Sequence, residues 1–261
     1  KKLDLTYVPD PQNQMSNIYK IAAAFFFLFS VGLTIYFFKQ PEENFRLTEY
    51  RCGPGEVKKI VLSDGSNVWL NNYSLLVAIE PFQGKTRNVR LIGEAYFEIA
   101  HNADKPFIVE SGTLKTEVLG TSFNISAYSS EEIQEITLFE GSVKLRPKNM
   151  PNKSLLMKPG EQVTVSENNN KFYISEISTD KPAAWRNGVL RFNNEELSRI
   201  ARELERKFNT RIVIASHETR NLRFTAEFDE EPLEKILALL NEAKKFKYDI
   251  TQNGIFIRSL K

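Results

Sequence analysis

The residues of this chain with the most chemistry to offer are two histidines, one cysteine and two acidic pairs. None of them stands in a pattern that performs that chemistry. His101 and His217 are the only histidines, and neither has a second histidine, a cysteine or a close acidic cluster at metal-ligand spacing; both read as surface or turn residues. Cys52 is the single cysteine: it makes no internal disulfide, and it is a nucleophile only where a basic neighbour lowers its pKa. Glu195-Glu196 and Glu230-Glu231 are carboxylate pairs of the kind acid/base catalysis uses. Each precedes a helical pattern, however, where carboxylates favour the positive end of the helix dipole. The sequence contains no G-x-S-x-G, H-E-x-x-H or G-x-x-x-x-G-K-[ST], and Gly53 and Gly55 of "CGPGEV" are too few for a nucleotide fingerprint. The expectation is a protein that is not an enzyme, with no catalytic residue, no metal and no cofactor.

The elements around these residues change period once. From about Glu56 to Ser178 apolar residues recur at every second position, as in "KIVLSDGSNVWLN", "AYFEIA", "LKTEVLG", "ITLFEGSVKL" and "EQVTVS". This is the strand period. Breaks at Asp64-Gly65, Gln83-Gly84, Ser111-Gly112, Glu140-Gly141 and Pro159-Gly160 separate the runs. They predict an all-β domain over 56–178, a sandwich, roll or solenoid, with no helix of useful length. Beyond "TDKPAAWRNG" the period becomes helical: Leu197, Ile200, Ala201, Leu204 and Phe208 share one face, with Asn193 and Glu196 as expected cap and N3 partner. A shift of 36 positions then lays Phe192 on Phe228, Leu197 on Leu233, Ile200 on Ile236, Leu204 on Leu240, Ile212 on Tyr248 and Ile214 on Ile250. Each copy reads strand, helix, strand, and "IFIRS" after Asn253-Gly254 closes a hairpin. Residues 179–261 are therefore expected to form a small α+β domain of two βαβ-like halves.

Before both lies "YKIAAAFFFLFSVGLTIYFFKQ", with no charge between Lys20 and Lys39. The 18 residues from Ile21 to Phe38 extend about 27 Å as a helix, close to a hydrocarbon core of about 30 Å. Tyr19 and Tyr36 sit at the ends where aromatic rings favour the interface, and the flanking lysines can snorkel. A core helix would show a polar stripe, and a signal peptide a cleavage site where "KQPEEN" stands. The expectation is a transmembrane helix within 18–39, with a segment 1–17 before it and a linker 40–55 after it. Lysines and arginines are balanced across the run, so the positive-inside count does not orient it. The formal net charge of +2, with both signs interspersed, argues against direct nucleic-acid binding.

Seven strings, "VLSDGSNVWLNNYS", "GEAYFEIA", "KPFIVES", "VLGTSFNISAY", "TLFEGSVKL", "KPGEQ" and "AWRNGVLRF", occur in an order that resembles the FecR family of membrane-anchored anti-sigma regulators. The resemblance runs from about Gly55 to Arg258. The 36-residue repeat resembles the secretin and TonB-receptor short N-terminal domain that closes Bacteroidetes-type members. The resemblance implies an N-terminus in the cytoplasm and a periplasmic chain from Gln40 onward. It also implies two partners: an extracytoplasmic-function sigma factor, bound through the cytoplasmic segment, of which residues 1–17 are only a short part, and the signalling domain of a TonB-dependent outer-membrane receptor. Signal passage by trimming in Gln40–Glu49 and then within the membrane is implied as well. The strand Ile255, Phe256, Ile257 and Arg258 is the expected receptor-binding edge. A periplasmic scaffold or secretin-like assembly component is the alternative reading of the same modules.

Overall fold

A proline costs a helix nothing at its first position, where its missing N–H would go unpaired. The first helix of the computed structural model starts on one: α1 is Pro11–Phe38. The structure describes residues 11–38, 45–150, 152–166, 171–177, 183–244 and 246–260. Helix α1 begins earlier than the apolar run, and every side chain from Ile18 to Tyr36 is exposed. That segment is long and apolar enough to cross a membrane. Within it, Thr34 Oγ1 donates to the Ser30 carbonyl at 2.8 Å. By contact the chain divides into two units, Lys1–Asn44 and Phe45–Lys261.

Thirteen strands open the second unit: β1 (Arg46–Arg51), β2 (Lys58–Val61), β3 (Asn67–Leu70), β4 (Leu75–Glu80), β5 (Arg87–Glu98), β6 (Phe107–Ser111), β7 (Leu114–Val118), β8 (Ser122–Ala127), β9 (Ile133–Glu140), β10 (Val143–Pro147), β11 (Leu155–Met157), β12 (Glu161–Ser166) and β13 (Phe172–Glu176). No helix interrupts them among the described residues, as the period-two pattern predicts. They run β11-β10-β7-β6-β5-β8-β9-β12-β13, with β4 carrying β1 and β3 carrying β2 on the same long β5. Strand β1 lies inside the expected 40–55 linker and pairs with β4 from Arg46↔Glu80 to Arg51↔Leu75. The sheet thus starts nearer to α1 than the alternation of apolar residues indicates. The reason is that β1 is an edge strand whose side chains are largely exposed, so the pattern is faint.

The first half of β5 pairs with β4 and β6, and its second half with β3 and β8. Arg87 at the start of β5 is opposite Phe107, yet the Phe107 ring lies 6.4 Å from that of Phe97. A straight strand would separate Arg87 from Phe97 by roughly 33 Å. The sheet therefore folds over on itself, and its two halves enclose one core that includes Leu76, Val89, Phe97, Phe107, Phe123 and Ile136. The bend is at Gly93, whose φ of +95° is open to glycine. A Cβ there would sit 2.8 Å from Ser74 Cα and 2.4 Å from its Oγ.

One buried ion pair ties the turn "SDGSN" to this strand. Arg87, 2 % exposed, gives Nη1 to Asp64 Oδ2 at 2.6 Å and to the Ala100 carbonyl at 2.9 Å, and Nε to the Lys105 carbonyl at 2.8 Å. Asp64 also accepts from the Ser66 N–H and hydroxyl, and Ser66 Oγ in turn accepts from the Ala100 N–H.

The C-terminal region follows a 3-10 turn at Ala184–Asn187. It comprises β14 (Val189–Glu196), α2 (Leu197–Phe208), β15 (Ile212–Ile214), α3 (His217–Arg220), β16 (Arg223–Asp229), α4 (Leu233–Ala243), β17 (Lys247–Thr251) and β18 (Gly254–Arg258). The repeat appears as β14-α2-β15 and β16-α4-β17. Its equivalent residues share one core: Phe192 and Phe228 touch edge to face at 6.2 Å, and Leu197, Leu233, Ile200, Ile236, Leu204 and Leu240 are all buried. Two expectations fail. Asn193 and Glu196 do not cap α2, because β14 continues through a bulge to Glu196, which holds the N-cap position without a side-chain bond. Strand β18 is not an edge: it runs between β15, parallel to it, and β17, antiparallel. The hairpin at Asn253-Gly254 is as expected. What the repeat cannot reveal is that β15, five elements upstream, closes on the other side of β18.

Asp64→Ala leaves the Arg87 guanidinium buried without its counter-charge, which costs about 3–5 kcal/mol. Chemical denaturation of the full chain in nanodiscs, followed by Trp69 and Trp185 fluorescence, is expected to show a loss of that size. A loss within 1 kcal/mol would remove the ion pair from this role.

Candidate functional site

The bend in β5 places the residue after it, Glu94, where several of the sequence strings converge. Glu94 Oε2 accepts from Asn71 Nδ2 at 2.8 Å and Oε1 from Asn124 Nδ2 at 2.9 Å; its own N–H goes to Ser74 Oγ at 2.8 Å. Asn124 Oδ1 then accepts the indole N–H of Trp185 at 3.3 Å, from the 3-10 turn that starts the C-terminal region. Arg186 beside it lies over the rings of Tyr96 (3.8 Å) and Trp69 (4.9 Å) and pairs with Glu98 at 3.4 Å. The C-terminal region is thus held on the second half of β5 and on its neighbours β3 and β8.

Helix α2 adds a second set of contacts. Leu197, Ile200, Ala201 and Leu204 bury one face in the C-terminal core, which leaves Arg199, Glu203 and Arg206 on another at i, i+4 and i+7. That polar face meets the sheet. Arg199 makes a two-toothed pair with Glu135, Nη1 to Oε1 at 3.1 Å and Nη2 to Oε2 at 2.7 Å, the arrangement in which guanidinium and carboxylate match best. Arg206 stacks over Tyr128 at 3.9 Å and gives Nη1 to Glu131 Oε1 at 2.7 Å. Two residues with left-handed backbone meet nearby, Tyr73 (φ +54°) and the helix cap Asn209 (φ +49°), joined from Tyr73 OH to Asn209 Oδ1.

These contacts border a cavity of 450 Å³ lined by Glu94, Glu135, Glu203, Arg199 and Arg206 among others. Two of these carboxyls, Glu203 and Glu94, are less acidic than usual. Desolvation is the main cause that moves Glu203 from 4.5 to about 8, with the Glu94 charge adding to it and Arg206 and Arg199 opposing. Glu94 is raised too, by desolvation, against the two asparagine amides that favour its charged form. Glu203 has no hydrogen-bond or ion-pair partner among the described residues, so at neutral pH it holds a proton. Chemically this is a junction that carries strain in one carboxyl, with both oxygens of its neighbour Glu94 already engaged.

The residues singled out from sequence lie elsewhere or are structural. His101 is exposed, and His217 Nδ1 contacts Asn221 Nδ2 at 3.2 Å; no cluster of metal-ligating side chains occurs among the described residues. The Cys52 thiol is buried, hydrogen-bonded to the Glu56 carbonyl at 3.2 Å, and pushed up to about 11, chiefly by desolvation. It is a protonated core residue. Glu195 pairs with Arg199, Glu196 with Arg223 and Glu231 with Lys235. Of the strand expected to bind a receptor, Ile255 and Ile257 are 1 % exposed core residues, while Phe256 and Arg258 face outward, Arg258 paired with Asp249 at 2.8 Å. The edges of that three-stranded sheet are β15 and β17. Sequence reading passes over the arginines of α2 because a charged helix face ordinarily meets solvent; the signal available was that "VLGTSFNISAY" and "AWRNG", which meet here, are both among the strings that carry the resemblance.

The raised Glu203 fixes the sign of a pH effect. The unfolded carboxyl loses its proton near its ordinary value while the folded one keeps it to about 8. Stability from this group is therefore complete below about 4.5, falls as pH rises and is gone above about 8. Glu203→Gln should flatten that decline and raise stability at alkaline pH in the same fluorescence assay; an unchanged slope would refute the assignment. Glu135→Ala, which removes the two-toothed pair and leaves Arg199 only Glu195 at 3.5 Å, should cost about 1.5–3 kcal/mol in that assay.

Two family models match the chain in order, one described as FecR protein over residues 48–144 and one as FecR, C-terminal, over 189–257. No curated protein matches it. Among solved structures, two crystal structures of a candidate anti-sigma factor from Parabacteroides distasonis ATCC 8503, at 1.65 Å and 2.50 Å resolution, each superpose with a TM-score of 0.77 at 29% identity. They cover 82% and 83% of this chain and 100% of their own. The matched segments fall on the two parts that meet at Glu94 and α2, the folded sheet and its C-terminal partner, and the chain belongs to the FecR family.

Proposed function

We propose that this chain is a single-pass inner-membrane anti-sigma regulator that relays the ligand-loaded state of a TonB-dependent outer-membrane receptor to an extracytoplasmic-function sigma factor. One observation carries the reading: a membrane-length helix is followed on the same chain by both FecR matches, in a fold shared with a candidate anti-sigma factor. Residues before α1 lie in the cytoplasm and residues from Gln40 onward in the periplasm. The proposed division is 1–17, 18–39, 40–55, 56–178 and 179–261, with β1 of the linker belonging to the sheet.

A single helix cannot readily pass a large rearrangement through a bilayer, so the signal proceeds by cleavage, first outside the membrane and then within it near Ser30 and Gly32. The expected trimming segment, Gln40–Glu49, divides in two. Arg46–Glu49 are hydrogen-bonded in β1, and residues 40–44 lie outside the described residues; the proposed cut stays within Gln40–Glu49.

Receptor docking uses the C-terminal region. Strand addition needs an open edge, so the proposed edge moves from β18 to β17, whose residues other than Tyr248 are exposed. Phe256 and Arg258 present the adjoining sheet face, and Ile255 and Ile257 support it from the core.

A phosphatase fused after Arg51 is expected to be active, which requires the periplasm; activity of a cytoplasmic reporter at that position would reverse the orientation. Lysine blunts an edge strand, so Ile250→Lys, at a side chain 52 % exposed, should keep the fold and weaken binding of the receptor's signalling domain about tenfold. Unchanged affinity would exclude β17 as the docking edge.

A further inference from the structure

A second cleft at the junction, of 460 Å³, is lined by Tyr73, Ile92 and Tyr128 from the sheet and by Arg202, Arg206 and Arg211 from the C-terminal region. Its positive charge is only partly matched. Arg206 takes Glu131 Oε1 at 2.7 Å; Arg202 reaches toward the same oxygen and stops at 3.9 Å. Its Nε is buried without a hydrogen-bond partner, a desolvated donor of a kind that native proteins seldom leave unmet. Arg211 is exposed, and its guanidinium has no hydrogen-bond or ion-pair partner among the described residues. Glu205, the one carboxylate on the cleft wall, is engaged by the Ile212 N–H at 2.6 Å.

The wall opposite the arginines is apolar and held in an uncommon conformation. Tyr73 is a bulky residue at φ +54°, pinned by its N–H to the Gly53 carbonyl at 3.2 Å and by its hydroxyl to Asn209. Backbone strain of this kind persists where the surroundings impose it, and ligand clamps are such places. Ile92 beside it is 44 % exposed. Ser129, Ser130 and Thr210 also line the cleft.

We infer that this cleft binds one carboxylate attached to an apolar group, with Arg202 and Arg211 gripping the carboxylate and Tyr73 and Ile92 receiving the apolar part. Charge selects the anion. Three guanidiniums and one carboxylate, Glu205, line the cleft, and Glu131 pairs with Arg206, which leaves one positive charge for a monoanion to neutralise; a phosphate dianion would overshoot. The planar fork of arginine also matches the two oxygens of a carboxylate. The same chemistry is offered by a free aromatic or aliphatic acid and by the C-terminal carboxylate of a peptide chain.

Isothermal titration of the full chain in nanodiscs with N-acetylphenylalanine, its amide, a hexapeptide ending in phenylalanine with a free carboxylate, and inorganic phosphate tests the site. The free acid should bind and the amide should not. Arg211→Gln, at an exposed position, and Arg202→Gln should each weaken the acid about tenfold. Tighter binding of the hexapeptide than of the free acid assigns the carboxylate to a protein chain end, and equal binding assigns it to a small molecule; either supports the site. Absence of binding by both carboxylates, equal binding of acid and amide, binding unaffected by both substitutions, or displacement of the acid by equimolar phosphate would overturn it.

Discussion

The fold that follows the apolar helix depends on one strand turning through its own middle. Strand β5 supplies partners to four other strands, and only because it bends at Gly93 do the two halves of the sheet close on a single core instead of lying side by side. The bend is permitted by a residue without a Cβ, against Ser74, and is fixed at its start by Arg87 buried on Asp64. It also aims Glu94 and Tyr96, the residues just beyond it, at the C-terminal region. A single conformational requirement thus serves both the core and the junction.

That junction differs from the core in what holds it. The core is apolar on both sides, whereas Trp185, Arg186, Arg199 and Arg206 meet Asn124, Glu98, Glu135 and Glu131 through hydrogen bonds, ion pairs and rings. Partly exposed pairs of this sort contribute modestly one by one and respond to charge and pH. Glu203, kept protonated at neutral pH chiefly by desolvation, makes the junction weaken as pH rises toward about 8. In the proposed function such a junction suits a relay: a partner engaging the C-terminal region acts on contacts that end on β5, and β5 holds β4 and, through it, β1, the strand that follows the membrane helix in sequence.

Much of this was legible in the sequence. Alternation of apolar residues marked the strands, glycine turns such as Glu140-Gly141 marked their ends, and the 36-residue repeat exposed two βαβ-like halves whose equivalent leucines and phenylalanines do share a core. The apolar run stood out because nothing charged interrupts it. Strand order was not legible: β18 looks like a terminal hairpin strand until β15 is seen on its other side, a pairing between residues some forty positions apart, as Ile212↔Ile255 shows. The cap of α2 was misplaced because a bulge carries β14 up to the helix. The junction itself escaped notice because its arginines alternate with core residues along α2, a pattern that also describes a solvated helix.

The account stands or falls on whether this protein holds a sigma factor and lets it go. The direct measurement is affinity capture of the protein, tagged at its C-terminus and expressed from its own gene, with mass spectrometry of what co-purifies before and after cells receive the ligand of the receptor. The predicted result is an extracytoplasmic-function sigma factor captured without ligand and lost with it, as the receptor's signalling domain appears. A protein that captures periplasmic assembly components and no sigma factor in either condition would contradict the account and favour a scaffold.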